Sequence, residues 1–135
     1  MSEPHRLPVR VYYEDTDMGG IVYYANYLRY IERARSELVE EMGLDQKRMK
    51  DEDGIVFVVR RVEADYLAPA RLDDRLEVVT THAPAGQSRW VFEQEVQRGG
   101  VPIFRAVVTA VCMTVAGRPV RLPPALRDRL EADQR

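Results

Sequence analysis

One long amphipathic helix set among segments that all have strand character is what most restricts the folds open to this chain. Leu28, Ile31, Ala34, Leu38 and Met42 recur at steps of three and four residues, which aligns them as one stripe of a helix. Arg29, Glu32, Arg33, Ser36, Glu37 and Glu40 take the opposite side, with Arg33–Glu37 as an i,i+4 pair of minor weight. Gly43 is suited to stop the helix just past Met42. Residues 7–13 come before it and form a first strand. After it, residues 55–66, 76–81, 89–97 and 103–115 are rich in β-branched and aromatic side chains. In the third of these, Trp90, Phe92 and Val96 alternate with Arg89, Glu93, Glu95 and Gln97. Pro84-Ala85-Gly86 is a turn signal and Gly99-Gly100 closes a hairpin. Residues 44–53 are polar and form a short helix or a loop, 117–124 are loop, and 125–132 make a helical turn or two.

Four consecutive strands joined by tight turns predict antiparallel pairing, hence an α+β class with one helix buried against one sheet face. The segment 103–115 is apolar on both faces. Its second face needs a cover, and a second subunit is the simplest one.

At 135 residues the chain is expected to be one domain, 1–135, with 45% hydrophobic residues to build its core. A net charge of −2 makes no case for nucleic acid as a partner. Cys112 is the one cysteine, which excludes an internal disulfide and fits a reducing compartment. Met-Ser-Glu-Pro-His has no apolar signal-peptide core, and no apolar run approaches the ~20 residues of a membrane span. A cytoplasmic protein is the expectation.

The chemistry concentrates between the first strand and the helix. Glu14, Asp15 and Asp17 put three acids into four positions, followed by a break at Gly19-Gly20. A carboxylate cluster therefore sits just ahead of a helix start, whose free N–H groups carry partial positive charge. A carboxylate beside backbone donors has the parts needed to attack a carbonyl and hold its oxygen. A calcium loop beginning at Asp15 would need an oxygen ligand at its fifth position and Glu at its twelfth. The chain has Gly19 and Asn26 there, so no metal is expected. Ser36 and Ser88 lie in no nucleophile elbow and have no His base paired with them. Cys112, in an apolar strand, is inert packing, and His5 and His82 are taken as surface residues.

Tyr13-Glu14-Asp15-Thr16-Asp17, Gly19-Gly20-Ile21-Val22-Tyr23, Asn26-Tyr27-Leu28 and Glu32-Arg33-Ala34-Arg35 closely resemble the signature of the 4-hydroxybenzoyl-CoA thioesterase family. Together with Phe57-Val58-Val59-Arg60 and the stretch from Tyr66-Leu67-Ala68-Pro69 to Asp73-Asp74, the chain is most similar to its YbgC-type branch, acyl-CoA thioesterases associated with the Tol–Pal system. The resemblance implies a hotdog fold, one long helix wrapped by a five-stranded antiparallel sheet, assembled as a homodimer or homotetramer. It implies hydrolysis of an acyl-CoA thioester without a cofactor, and association with the cell-envelope or lipid-synthesis machinery. Asp17 matches the family's catalytic carboxylate, as nucleophile or general base. The main-chain N–H near Tyr24 would polarise the thioester carbonyl, and Gly20, Ile21, Val22 and Tyr23 are the expected substrate-contacting stretch. Arg60, Ser88 and Arg89 are candidates for CoA. Where the branch usually has His, this chain has Tyr24, as in the 4-hydroxybenzoyl-CoA enzymes. A hotdog hydratase or dehydratase, which pairs an acid with a His, and a non-catalytic acyl- or protein-binding module are the competing readings.

Overall fold

A computed structural model describes residues 3–134. Strand β1 (His5–Arg10) leads through a loop into α1 (Asn26–Glu41) and a short α2 (Gln46–Arg48), which runs on as a wide helical turn, Met49–Asp53. Strands β2 (Ile55–Tyr66), β3 (Arg75–Ala85), β4 (Arg89–Arg98) and β5 (Val101–Thr114) follow, and α3 (Pro124–Ala132) ends the described chain. The five strands form one sheet in the order β1-β3-β4-β5-β2, antiparallel at every pairing. Among the described residues no helix is long and apolar enough to cross a membrane.

The helix stripe is buried as its spacing requires, but rotated. Tyr27, Tyr30, Ile31, Ala34, Leu38, Val39 and Met42 are buried, while Leu28, expected to start the stripe, is exposed. The rotation brings the Tyr27 hydroxyl inward, where it accepts the Ala70 N–H at 3.1 Å. Helix α1 packs on β1, β3 and β4. Trp90, Phe92 and Val96 of β4 face it, as the alternation predicts. Gln94 shares their face and is also buried, because its amide donates to the Ile31 carbonyl and to Thr80 Oγ1, both at 3.0 Å.

Several boundaries move for identifiable reasons. β1 stops at Arg10 rather than at residue 13, because the Asp15 carboxylate accepts the Tyr12 N–H at 2.9 Å and pulls the chain into a tight helical turn, Tyr13–Asp15. β3 runs through Pro84 to Ala85, past the expected turn. β1 pairs with β3 only as far as Thr80, so beyond it β3 has an open edge where proline is tolerated. At Gly99 and Gly100, φ is +57° and +79°, the pair of left-handed residues that a two-residue hairpin needs.

Two expectations are corrected. His5 and His82 are not surface side chains: they are 8% and 10% exposed. They lie on neighbouring strands, His5 paired with Thr80, and His82 is covered by the end of α3, whose neighbour Gln134 donates to the His82 carbonyl at 2.6 Å. β5, expected to need a cover, lies inside the sheet between β4 and β2, and it is the edge strand β2 that exposes Val58, Val59, Val62 and Tyr66.

Candidate active site

The loop between β1 and α1 folds back on itself. Thr16 pairs with Val22, and the Asp17 N–H donates to the Ile21 carbonyl at 2.9 Å. Gly20 N–H closes the turn on the Asp17 carbonyl at 3.0 Å with φ of +78°, a conformation glycine adopts without strain. Asp17 Oδ1 accepts the Gly19 N–H at 2.9 Å, which orients the carboxylate while leaving Asp17 exposed.

Asp15, the middle acid, has a different place. It is buried, and its main-chain carbonyl accepts the Tyr23 N–H and the Asn26 side-chain amide, both at 2.9 Å. Asp15 thus ties the strand end, the turn carrying Asp17 and the first residue of α1 together. Burial, and then the Asp15 carboxylate, hold the neighbouring Tyr30 hydroxyl well above the usual phenol pKa. Val22 is fixed from below by its N–H to the Ala70 carbonyl at 2.8 Å. The Ala70 loop is held in turn by Arg98, which donates to the Pro69 carbonyl and to Asp74 Oδ2 at 2.9 and 2.8 Å.

Helix α1 begins without a side-chain cap and without an acid in its first turn. Among the described residues, the Tyr24 and Ala25 N–H groups have no hydrogen-bond acceptor. The positive end of the helix is therefore uncompensated beside the Asp17 turn. Tyr23 and Tyr24 project outward with their rings 4.9 Å apart, and Tyr24 is 61% exposed. The Tyr66 hydroxyl donates to the Tyr24 carbonyl at 3.0 Å. Tyr66 was not legible as a site residue. It lies in the stretch that carries the family resemblance, but nothing in the sequence tells which way its ring points.

Asp17, Gly20, Ile21, Val22, Tyr23 and Tyr24 are thus gathered at one place. Arg60, Ser88 and Arg89 are not brought to them within one chain. Tyr66, at the site, pairs with Phe104, whereas Arg89 pairs with Val111 and the Ser88 carbonyl accepts the Cys112 N–H. Phe104 and Val111 stand seven residues apart on β5, about 23 Å at ~3.3 Å per residue. Arg60 is the extra residue of a bulge between Val59 and Arg61, which interrupts the side-chain alternation of β2 there. Cys112 is buried, and burial pushes its thiol pKa up, away from nucleophilic use.

A long helix wrapped by a five-stranded antiparallel sheet is the architecture of the hotdog thioesterases. The chain belongs to the thioesterase-like superfamily, which it matches over residues 11–130, and within it to the YbgC-type acyl-CoA thioesterases. It is 38% identical over 122 residues to the acyl-CoA thioesterase YbgC of Haemophilus influenzae, covering 90% of each chain. It is 40% identical over 120 residues to the acyl-CoA thioester hydrolase YbgC of Escherichia coli O157:H7, covering 88% of this chain and 86% of that one. The crystal structure of a probable thioesterase from Bartonella henselae superimposes with a TM-score of 0.83 at 33% identity, over 89% of this chain and 99% of that one. The protein is an acyl-CoA thioester hydrolase.

Proposed function

We propose that Asp17 and the open amides at the start of α1 carry out the hydrolysis. The observation behind this reading is an oriented carboxylate in the turn that leads into an uncapped helix end with two unpaired N–H groups. The thioester carbonyl oxygen would accept from the Tyr24 or Ala25 N–H, which stabilises the negative charge as it develops. As general base, Asp17 takes a proton from the water whose oxygen attacks the carbonyl carbon; the C–S bond then breaks, and the CoA thiolate leaves with that proton. As nucleophile, an Asp17 carboxylate oxygen bonds to the carbonyl carbon, the C–S bond breaks and CoA leaves as the thiolate; water then opens the resulting anhydride, freeing the acid and the Asp17 carboxylate, with the water's proton passing to the thiolate. Single turnover in ¹⁸O-labelled water with rapid quench tests the choice: label in the Asp17 carboxylate or an acyl group trapped on it identifies the nucleophile, and label only in the released acid with no acyl-enzyme trapped identifies the base. Neither route uses a cofactor or a metal. The hydratase reading has no histidine at the site to support it.

The same reading makes the active unit at least a homodimer, with a homotetramer the larger alternative. One edge of β2 pairs with β5 and the other is open, with Val58, Val59, Val62 and Tyr66 exposed among Arg60, Arg61, Glu63 and Asp65. Two such edges paired antiparallel about their midpoints would set the Tyr66 end of one strand beside the Ile55 end of the other. That arrangement carries the partner subunit's Ser88 and Arg89 toward the Asp17 turn, where they would meet the phosphates of CoA, while Arg60 stays at the strand midpoint. A cytoplasmic location at the cell-envelope or lipid-synthesis machinery belongs to this proposal as well, and fractionation of tagged protein tests it.

A further inference from the structure

Tyr30 carries a polar group that the fold leaves without a partner. The side chain is fully buried, one turn into α1 from Asn26, with its ring edge-on to that of Tyr27 at a centroid separation of 6.0 Å. Among the described residues its hydroxyl makes no hydrogen bond. A buried hydroxyl with no partner weakens the fold, and phenylalanine would fill the same space without that cost. Packing alone therefore does not account for a tyrosine here.

The acceptor that the hydroxyl lacks stands beside it. The Asp15 carboxylate is buried and close enough for its charge to act on the Tyr30 hydroxyl. Asp15 Oδ2 accepts the Tyr12 N–H at 2.9 Å, while Oδ1 accepts no hydrogen bond among the described residues. A donor without an acceptor thus faces an acceptor without a donor. The two sit on different parts of the chain. Tyr30 belongs to the long helix, whereas Asp15 ends the tight turn Tyr13–Asp15 in the loop that carries Asp17. Whatever moves Asp15 also moves the reacting groups. Its main-chain carbonyl holds the Tyr23 N–H and the Asn26 amide, on either side of the open Tyr24 and Ala25 N–H groups. Asp17 follows two residues on, through Thr16, which is bridged to Val22.

We propose that Tyr30 is a positioning residue for the hydrolysis: when the acyl-CoA is bound, its hydroxyl donates to Asp15 Oδ1 and draws the Asp17 turn and the open amides into their reacting places. The inference rests on the assignment of Asp17 and those amides to the reaction. Tyr30 is buried and touches no substrate, so it acts through Asp15 alone. The bond is absent in the free chain and forms in the engaged one, and its energy goes into moving the loop rather than into holding CoA. The free protein carries the unpaired hydroxyl as a cost to stability, exchanged for activity.

Tyr30→Phe removes the hydroxyl and keeps the ring, and a structural hydroxyl and a positioning one predict opposite results for it. The expected outcome is a kcat lower by roughly tenfold or more, the scale of a slight misplacement of reacting groups, with KM little changed. The melting temperature should equal or exceed that of the unmodified protein, because no bond of the free chain is lost. Asp15→Asn should be non-additive with it, so that the double variant is no slower than the slower single one. A readout apart from turnover comes from protein carrying ¹³Cζ-labelled tyrosine, with the Tyr30 resonance assigned by its loss in Tyr30→Phe. That resonance should move when the unmodified protein is saturated with a non-hydrolysable thioether analogue of an acyl-CoA, and should stay in place in Asp15→Asn. A Tyr30→Phe enzyme with unmodified kcat, one that loses melting temperature along with kcat, or a Tyr30 resonance indifferent to the analogue overturns the inference, and none of these needs Asp15→Asn to fold. Failure of the underlying assignment shows elsewhere, as an Asp17→Asn enzyme that keeps its rate.

Discussion

The Tyr66 hydroxyl donates to the main-chain carbonyl of Tyr24 at 3.0 Å, so the last residue of β2 grips the chain two residues before α1 begins. That carbonyl belongs to the peptide group whose other half is the Ala25 N–H. A side chain of the edge strand therefore fixes the plane of one of the two open donors. Tyr66 is braced in turn by Tyr27 and Phe104, with ring centroids at 5.6 and 4.9 Å. Tyr66→Phe keeps this packing and removes the hydrogen bond alone. It should lower kcat by up to about tenfold, since a net hydrogen bond contributes ~1 kcal/mol, with thermal stability nearly unchanged. Steady-state kinetics beside a melting curve check both halves of this expectation.

Tyr24 separates main-chain from side-chain chemistry. Its assigned contribution is an N–H, and its ring is exposed beside Tyr23. Tyr24→Phe should hold kcat within about a factor of ten, equivalent to roughly 1.4 kcal/mol of barrier. Tyr24→Pro deletes the N–H and should damage kcat severely. A folded but inactive Tyr24→Phe would show instead that the phenol itself takes part in the proton transfer.

His82 makes stability depend on pH. Burial lowers its pKa most, His5 adds to that, and Asp133 opposes it. Its Nδ1 accepts the Trp90 indole N–H at 3.1 Å, which requires the neutral ring. Because the folded pKa lies below the unfolded value near 6.5, the unfolded chain binds the extra proton first. This contribution to stability is complete above pH ~6.5 and is lost as pH falls through the lower folded pKa. His82→Asn keeps an acceptor near the Nδ1 position and does not titrate. Its melting temperature should fall less between neutral pH and pH ~5 than that of the unmodified protein, and parallel slopes in the two proteins would remove His82 from the account.

Much of the fold was legible because its signals are local. The span of β2, the stripe from Ile31 to Met42 and the Gly99-Gly100 hairpin each follow from a short pattern of side chains. What escaped depends on contacts distant in sequence. The buried state of His5 and His82 needs β1, β3 and the end of α3 to meet. The inward turn of Tyr27 needs the Ala70 loop, 43 residues away. In the site, the turn holding Asp17 is built from neighbours and could be read. The separation of Arg60, Ser88 and Arg89 from it comes from strand register, which spacing alone does not reveal.

That separation yields a prediction about assembly and CoA. If Arg89 of a second subunit meets the phosphates, Arg89→Ala should raise KM while changing kcat little, because the contact is equal in ground and transition states. Light scattering should find a homodimer or larger at micromolar concentration. A stable, active monomer would contradict the shared site, and an unchanged KM in a folded variant would clear Arg89 of the role.

The most direct test of the account is kcat for Asp17→Asn against one good acyl-CoA substrate, with folding and CoA binding measured in the same sample. The substitution keeps the size and the Oδ1 acceptor that receives the Gly19 N–H, and removes only charge and basicity. The account predicts a folded, CoA-binding enzyme whose kcat has dropped by roughly 10²-fold or more, the scale of lost general-base catalysis. An Asp17→Asn enzyme that turns over at the unmodified rate would contradict it.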